Sequence, residues 1–146
     1  MCNSTDGGSI STNAATCTTI NKYGGNLAMV PSQAVATTAT FTNTGTSPIQ
    51  TFTLTPGSCT QSNNGTANGT ATDFCSKLQL TVTSGATTVF SGTAASFAAS
   101  SAISLATPLA AGATQSYTFT VTLDSAAGNT YQGLKASQPM TWSASS

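Results

Sequence analysis

Between Tyr117 and Leu123 the chain alternates without a break: Tyr117, Phe119, Val121 and Leu123 are apolar, and Thr118, Thr120 and Thr122 stand between them. A strand turns successive side chains to opposite faces, so this run fits a strand with one buried and one wet face. The pattern recurs along the chain. Val35, Thr37, Ala39 and Phe41 oppose Thr38, Thr40 and Thr42; Phe52 and Leu54 oppose Thr51, Thr53 and Thr55 before Pro56 and Gly57 stop the run. Leu78, Leu80 and Val82 share a face ahead of a Ser84-Gly85 turn and a return run ending at Phe90, which is a hairpin candidate. Met140, Trp142 and Ala144 share the last face. Short strands with turn signals between them, each with one apolar and one threonine-rich side, predict an all-β fold: a single two-sheet antiparallel β-sandwich.

A chain of 146 residues that is 38% hydrophobic can bury one real core but not two. The sandwich is therefore expected over residues 21–146. Residues 1–20 offer little to bury before Ile20 and read as a flexible N-terminal arm or edge segment. The Ala/Ser stretch 93–106 fits either a short helix or a crossing between sheets.

Charge excludes more than it assigns. Lys22, Lys77 and Lys135 face Asp6, Asp73 and Asp124, and there is no Arg, Glu or His. Three scattered lysines cannot displace counterions from phosphate, which argues against nucleic acid and against electrostatic attraction to an anionic membrane. No stretch approaches the roughly 18 apolar residues of a spanning helix, so membrane insertion is not expected. A surface of Thr, Ser, Asn and Gln repels no neighbour and permits close self-association.

Four cysteines, Cys2, Cys17, Cys59 and Cys75, form two pairs of similar short separation without a histidine to share a metal. Of three pairings on paper, the local one joins Cys2 to Cys17 and Cys59 to Cys75; each loop would lose about 3 kcal/mol of unfolded-state freedom. The segment 59–75 is too rich in Gly, Asn and Thr to order itself by packing, and a disulfide there implies an oxidising compartment. Cys2 has three readings: a bond to Cys17, a bond to a neighbouring subunit, or a lipid-carrying residue. The even cysteine count favours the disulfides.

Catalysis is not expected. Without histidine neither a Ser/His/Asp nor a Cys/His nucleophile can be built, and the three aspartates show no sign of converging. Asp124, Ser125 and Asn129 gather hard oxygen donors of the kind calcium accepts, but one carboxylate makes a poor ligand set, and Asp124 and Asn129 are better read as bonding backbone amides of their loop. No cofactor is implied. Trp142 shares a face with Met140 and Ala144 and reads as a core plug; Lys77 and Lys135 read as charges that keep strand edges from pairing. Three tripeptides beginning at Asn3, Asn64 and Asn68 fit a glycosylation pattern that has meaning only in a eukaryotic secretory pathway. Threonine runs at 38–42, 51–55, 81–83 and 118–122 could order water or a glycan, but they lie on separate strands with no constant repeat to hold them flat.

Three segments, 41–57, 109–124 and 127–145, resemble in their order the TasA/camelysin family of secreted bacterial β-sandwich proteins. Phe41 and Thr42 run into an Asn43-Thr44-Gly45 turn; a Gly-containing loop leads into a long alternating strand, residues 111–123; a Tyr131-Gln132-Gly133 turn precedes a final strand, residues 138–143, that carries Trp142. The resemblance covers roughly residues 35–145. It implies a jelly-roll-like sandwich, and family members build extracellular biofilm-matrix fibres by donating the N-terminal strand of one subunit to the sheet of the next. The resemblance makes residues 1–20 the donor strand and an uncharged sheet edge its acceptor; such head-to-tail contacts need not close and make filaments. The family also carries a metallopeptidase label, but with no His or Glu here no catalytic or metal residue carries over. The expectation is a secreted structural protein whose partner is itself, with contacts to cell wall or matrix; the alternative is a monomeric cell-surface module that binds glycan or ice, and behind it a lipoprotein domain anchored through Cys2.

Overall fold

The computed structural model describes residues 9–10, 14–17, 30–63 and 69–146, the first two stretches as backbone. The chain is an all-β sandwich of antiparallel sheets. Its strands are β1 (Ser9–Ile10), β2 (Ala14–Cys17), β3 (Ala34–Thr42), β4 (Thr51–Pro56), β5 (Thr60–Asn63), β6 (Leu78–Ser84), β7 (Thr87–Thr93), β8 (Ile103–Ser104), β9 (Thr114–Leu123), β10 (Leu134–Ser137) and β11 (Met140–Ser145). Two short helices, α1 (Phe74–Lys77) and α2 (Ala94–Ala98), lie between β5 and β6 and between β7 and β8.

One sheet has the order β3-β9-β6-β7 and the other β1-β2-β11-β4-β8. The alternation read from the sequence decides which side of each strand is dry. Tyr117, Phe119, Val121 and Leu123 of β9, with Leu78, Leu80 and Val82 of β6, meet Phe52 and Leu54 of β4 and Met140 and Trp142 of β11 in one core. Full burial of such side chains stabilises by roughly 1.5–3 kcal/mol each relative to exposure. Trp142 is 2% exposed, its ring 4.3 Å from that of Phe41 and 5.3 Å from that of Tyr117, as a core plug should be.

The β6–β7 hairpin forms with Gly85 at φ 57°, and the ladder shifts register between Val82 and Thr83. Residues 93–106 make both of the expected structures in succession. Thr93 and Ser96 cap α2 reciprocally, burying Ala94 and Phe97, after which the chain crosses to the other sheet as β8.

Two expectations need correction. The sandwich has a third, two-stranded sheet, in which β5 pairs with β10 from Thr60↔Ser137 to Asn63↔Leu134. Residues 60–63 gain their order from that partner and from the bond that anchors Cys59 to Cys75, not from burial. The last strand starts at Met140, two residues later than expected, because Pro139 cannot donate to a ladder and its carbonyl is taken by the Gly57 amide at 2.8 Å. In the segment read as an arm or edge segment, Ala14–Cys17 pairs with β11, and Ser9–Ile10 pairs with Ala14–Cys17 in turn.

Candidate assembly and binding surfaces

The turns at Asn43 and at Tyr131 hold the ends of the sandwich. Asn43, 6% exposed, donates through Nδ2 to the carbonyls of Ser47 and Leu109, both at 2.9 Å, and its Oδ1 accepts from the Gly45 amide at 3.0 Å. Its backbone also bonds both ways with the chain leading into β9, donating to Ala113 O at 2.9 Å and accepting from Gly112 N at 2.8 Å. One side chain thus ties the end of β3 to the turn that follows it and to Leu109, 66 positions away. Glycine fits at 45 because the amide must approach Oδ1; an added Cβ would lie 3.2 Å from it.

At the opposite end, a 3-10 turn at Asn129–Tyr131 is followed by Gly133 at φ 67°, a conformation that favours glycine. The Tyr131 hydroxyl donates to Asp73 Oδ1 at 2.8 Å, and its ring lies 6.3 Å from that of Phe74. That bond to Asp73, then burial, then the charges of Asp73 and Asp124 raise the Tyr131 pKa. The bond joins positions 58 apart in the chain, which no local pattern announces. Gly69 and Ala71 donate to the carbonyls of Gln132 and Thr130 beneath this turn.

The calcium candidates are engaged within their own loop. Asp124 Oδ1 accepts from the Ala126 amide at 2.9 Å, and Asn129 Oδ1 faces Gln132 Nε2 at 3.5 Å. Among the described residues no three His, Cys, Asp or Glu side chains stand together in a way that could hold a metal. Lys135 lies exposed on β10 and Lys77 ends α1. The Cys59–Cys75 bond is formed, with Cα atoms 6.1 Å apart. Cys2, the Cys17 side chain and the glycosylation patterns at Asn3, Asn64 and Asn68 lie outside the described residues.

Two surfaces remain. The first is the ladder of β11, which runs between β4 on one side and β2 on the other, with Trp142, Ser143, Ala144 and Ser145 opposite Cys17, Thr16, Ala15 and Ala14. The second is the wet face of the four-stranded sheet. Thr38, Thr40 and Thr42 bond hydroxyl to hydroxyl with Thr118, Ser116 and Thr114 at 3.0, 2.9 and 3.0 Å, and Thr118, Thr120 and Thr122 stand opposite Thr83, Thr81 and Gln79 of β6. Three of the four threonine runs, on separate strands as expected, therefore share one face; 51–55 belongs to the other sheet. Register between strands is a long-range property, so sequence spacing could not show it. The functional consequence of Asn43 and the role of β3 as an outer strand were likewise invisible in the sequence.

No protein-family model matches the chain, and no curated protein matches it in sequence.

Proposed function

We propose that this chain is a secreted structural protein of the TasA/camelysin kind, a subunit of an extracellular fibre that grows head to tail by strand donation. The observation that carries the reading is the place of β2. It is a four-residue strand from the core-poor N-terminal segment, and it completes a sheet by pairing with β11. The same ladder can be made by β2 of another subunit, with β11 as the common acceptor, and an open chain of such exchanges is a filament. The charge-poor surface offers little repulsion to stacking subunits, and the Cys59–Cys75 bond fits an oxidising environment.

Two proline substitutions test this. Residues 15 and 16 are adjacent, so one of them directs its amide at β11 and the other at β1. Of Ala15→Pro and Thr16→Pro, one removes a ladder bond to the acceptor and should stop polymerisation while the sandwich stays folded. Polymers of unchanged length with both variants would remove strand donation.

A second reading, a monomeric module that binds glycan or ice, is favoured by the shared hydroxyl face of β3, β9 and β6. Replacing Thr118, Thr120 and Thr122 with Lys should then abolish binding to ice or polysaccharide without changing association state.

A further inference from the structure

The edges of the sheets differ in how well they are protected. β1 and β8 are two residues each, the β6–β7 ladder is irregular and β7 contains Gly92, and the small sheet carries Lys135. Short length, irregularity and charge are the usual devices against edge pairing. β3 has none of them. It is nine residues long, contains no charge, proline or glycine, and runs in unbroken register with β9 from Ala34↔Thr122 to Thr42↔Thr114. Among the described residues no strand pairs with its other side.

The direction of its free groups follows from Asn43. Both backbone groups of Asn43 bond toward β9. Along an antiparallel strand these directions alternate, so the amides and carbonyls of Thr42, Thr40, Thr38, Ala36 and Ala34 point to the open side. Their side chains lie on the hydroxyl face and are exposed.

We propose that β3 is a second self-association site, pairing antiparallel with β3 of another copy about a two-fold axis at Thr38. In that register Thr38 meets its own equivalent, Ala36 meets Thr40 and Ala34 meets Thr42, a small side chain opposite a larger one in each unlike pair. On the inner face Val35 meets Phe41 and Thr37 meets Ala39. No charge opposes any of these contacts. The ladder supplies about ten backbone hydrogen bonds, comparable to the direct bonds of a typical protein interface. It also joins two hydroxyl faces into one. The contact is isologous and uses neither β2 nor β11, so it is independent of strand donation. It gives dimers if the subunits are discrete and lateral pairs if they form filaments.

Charge swap at the axis tests it with the full chain. Thr38→Lys places two ammonium groups opposite each other and Thr38→Asp two carboxylates; each should raise the dissociation constant measured by analytical ultracentrifugation at least about tenfold. Mixing the two variants should restore association. Thr120→Lys, on the same face but on the central strand β9, should leave it unchanged. Thermal unfolding confirms that each variant is folded. Wild-type chain that shows no pairing, Thr38→Lys that pairs as wild type does, or a mixture no tighter than its components would overturn the proposal. So would association lost with the proline substitutions in β2 but kept with both Thr38 variants, an outcome that would leave strand donation standing.

Discussion

Replacement of Asn43 tests whether the end of the sandwich is held as described. Asn43→Ala removes two bonds from Nδ2 to buried or half-buried carbonyls and the one that Oδ1 accepts from Gly45. Each bond has a net worth of about 1 kcal/mol, and a carbonyl left unpaired away from water costs a further 1–3 kcal/mol or so. Relaxation of the exposed 44–48 turn lets water reach Ser47, so the estimate settles at about 2–4 kcal/mol. For a chain of this length that lowers the unfolding temperature by about 5–15 °C.

Asn43→Asp gives an independent sign. One carboxylate oxygen keeps the Gly45 amide, but the other faces the carbonyls of Ser47 and Leu109, where a donor stood. Ionisation is disfavoured there, so the folded-state pKa lies above the unfolded one. Stability is then fully present below the unfolded value, about 3.9, and is lost as pH rises through the folded value. Urea unfolding at several pH values should show Asn43→Asp weakening relative to Asn43→Ala from acid toward neutral pH. An Asn43→Ala variant within about 0.5 kcal/mol of wild type, the range of ordinary surface changes, would refute the tie, as would an Asn43→Asp variant that gains stability with rising pH.

Three other outcomes follow from the same structure. Replacing Cys59 and Cys75 together with Ser should cost about 3 kcal/mol in urea unfolding, the chain-entropy value for a loop closed across 16 positions. Gly69→Ala should cost about 1–3 kcal/mol in thermal unfolding because its Cβ would fall 1.9 Å from the Thr130 carbonyl oxygen, whereas Gly128→Ala, with nothing within 4 Å, should be close to neutral. Burial pushes the Tyr117 pKa up to about 12, so its neutral form is the one the fold favours; the associated stability is complete below about pH 10 and is lost between there and about pH 12, and Tyr117→Phe should flatten that alkaline slope in urea midpoints.

The strands were legible because their signal is local. Apolar residues alternating with threonine over 117–123 identify a half-buried strand from the residues themselves, and the dry side of β9 follows the prediction residue for residue. What depends on distant partners was not legible. Residues 60–63 have almost no buried face and are a strand because β10 and a disulfide hold them. The threonine runs became one surface only when β3, β9 and β6 were set side by side, and Asn43 acquired its role from carbonyls at 47 and 109. Capping by Thr93 and Ser96 could have been read from the sequence, since a Thr followed three residues later by a polar partner marks a helix start, but serine in place of Glu or Gln weakens the sign.

The central claim is that this chain assembles by donating its N-terminal strand. Negative-stain electron microscopy of the purified full chain, with and without reductant, tests it most directly. The account predicts unbranched fibres one subunit wide, or lateral pairs of them, and fibres that fall apart on reduction would assign Cys2 or Cys17 to the junction. Uniform single particles under every condition would contradict it.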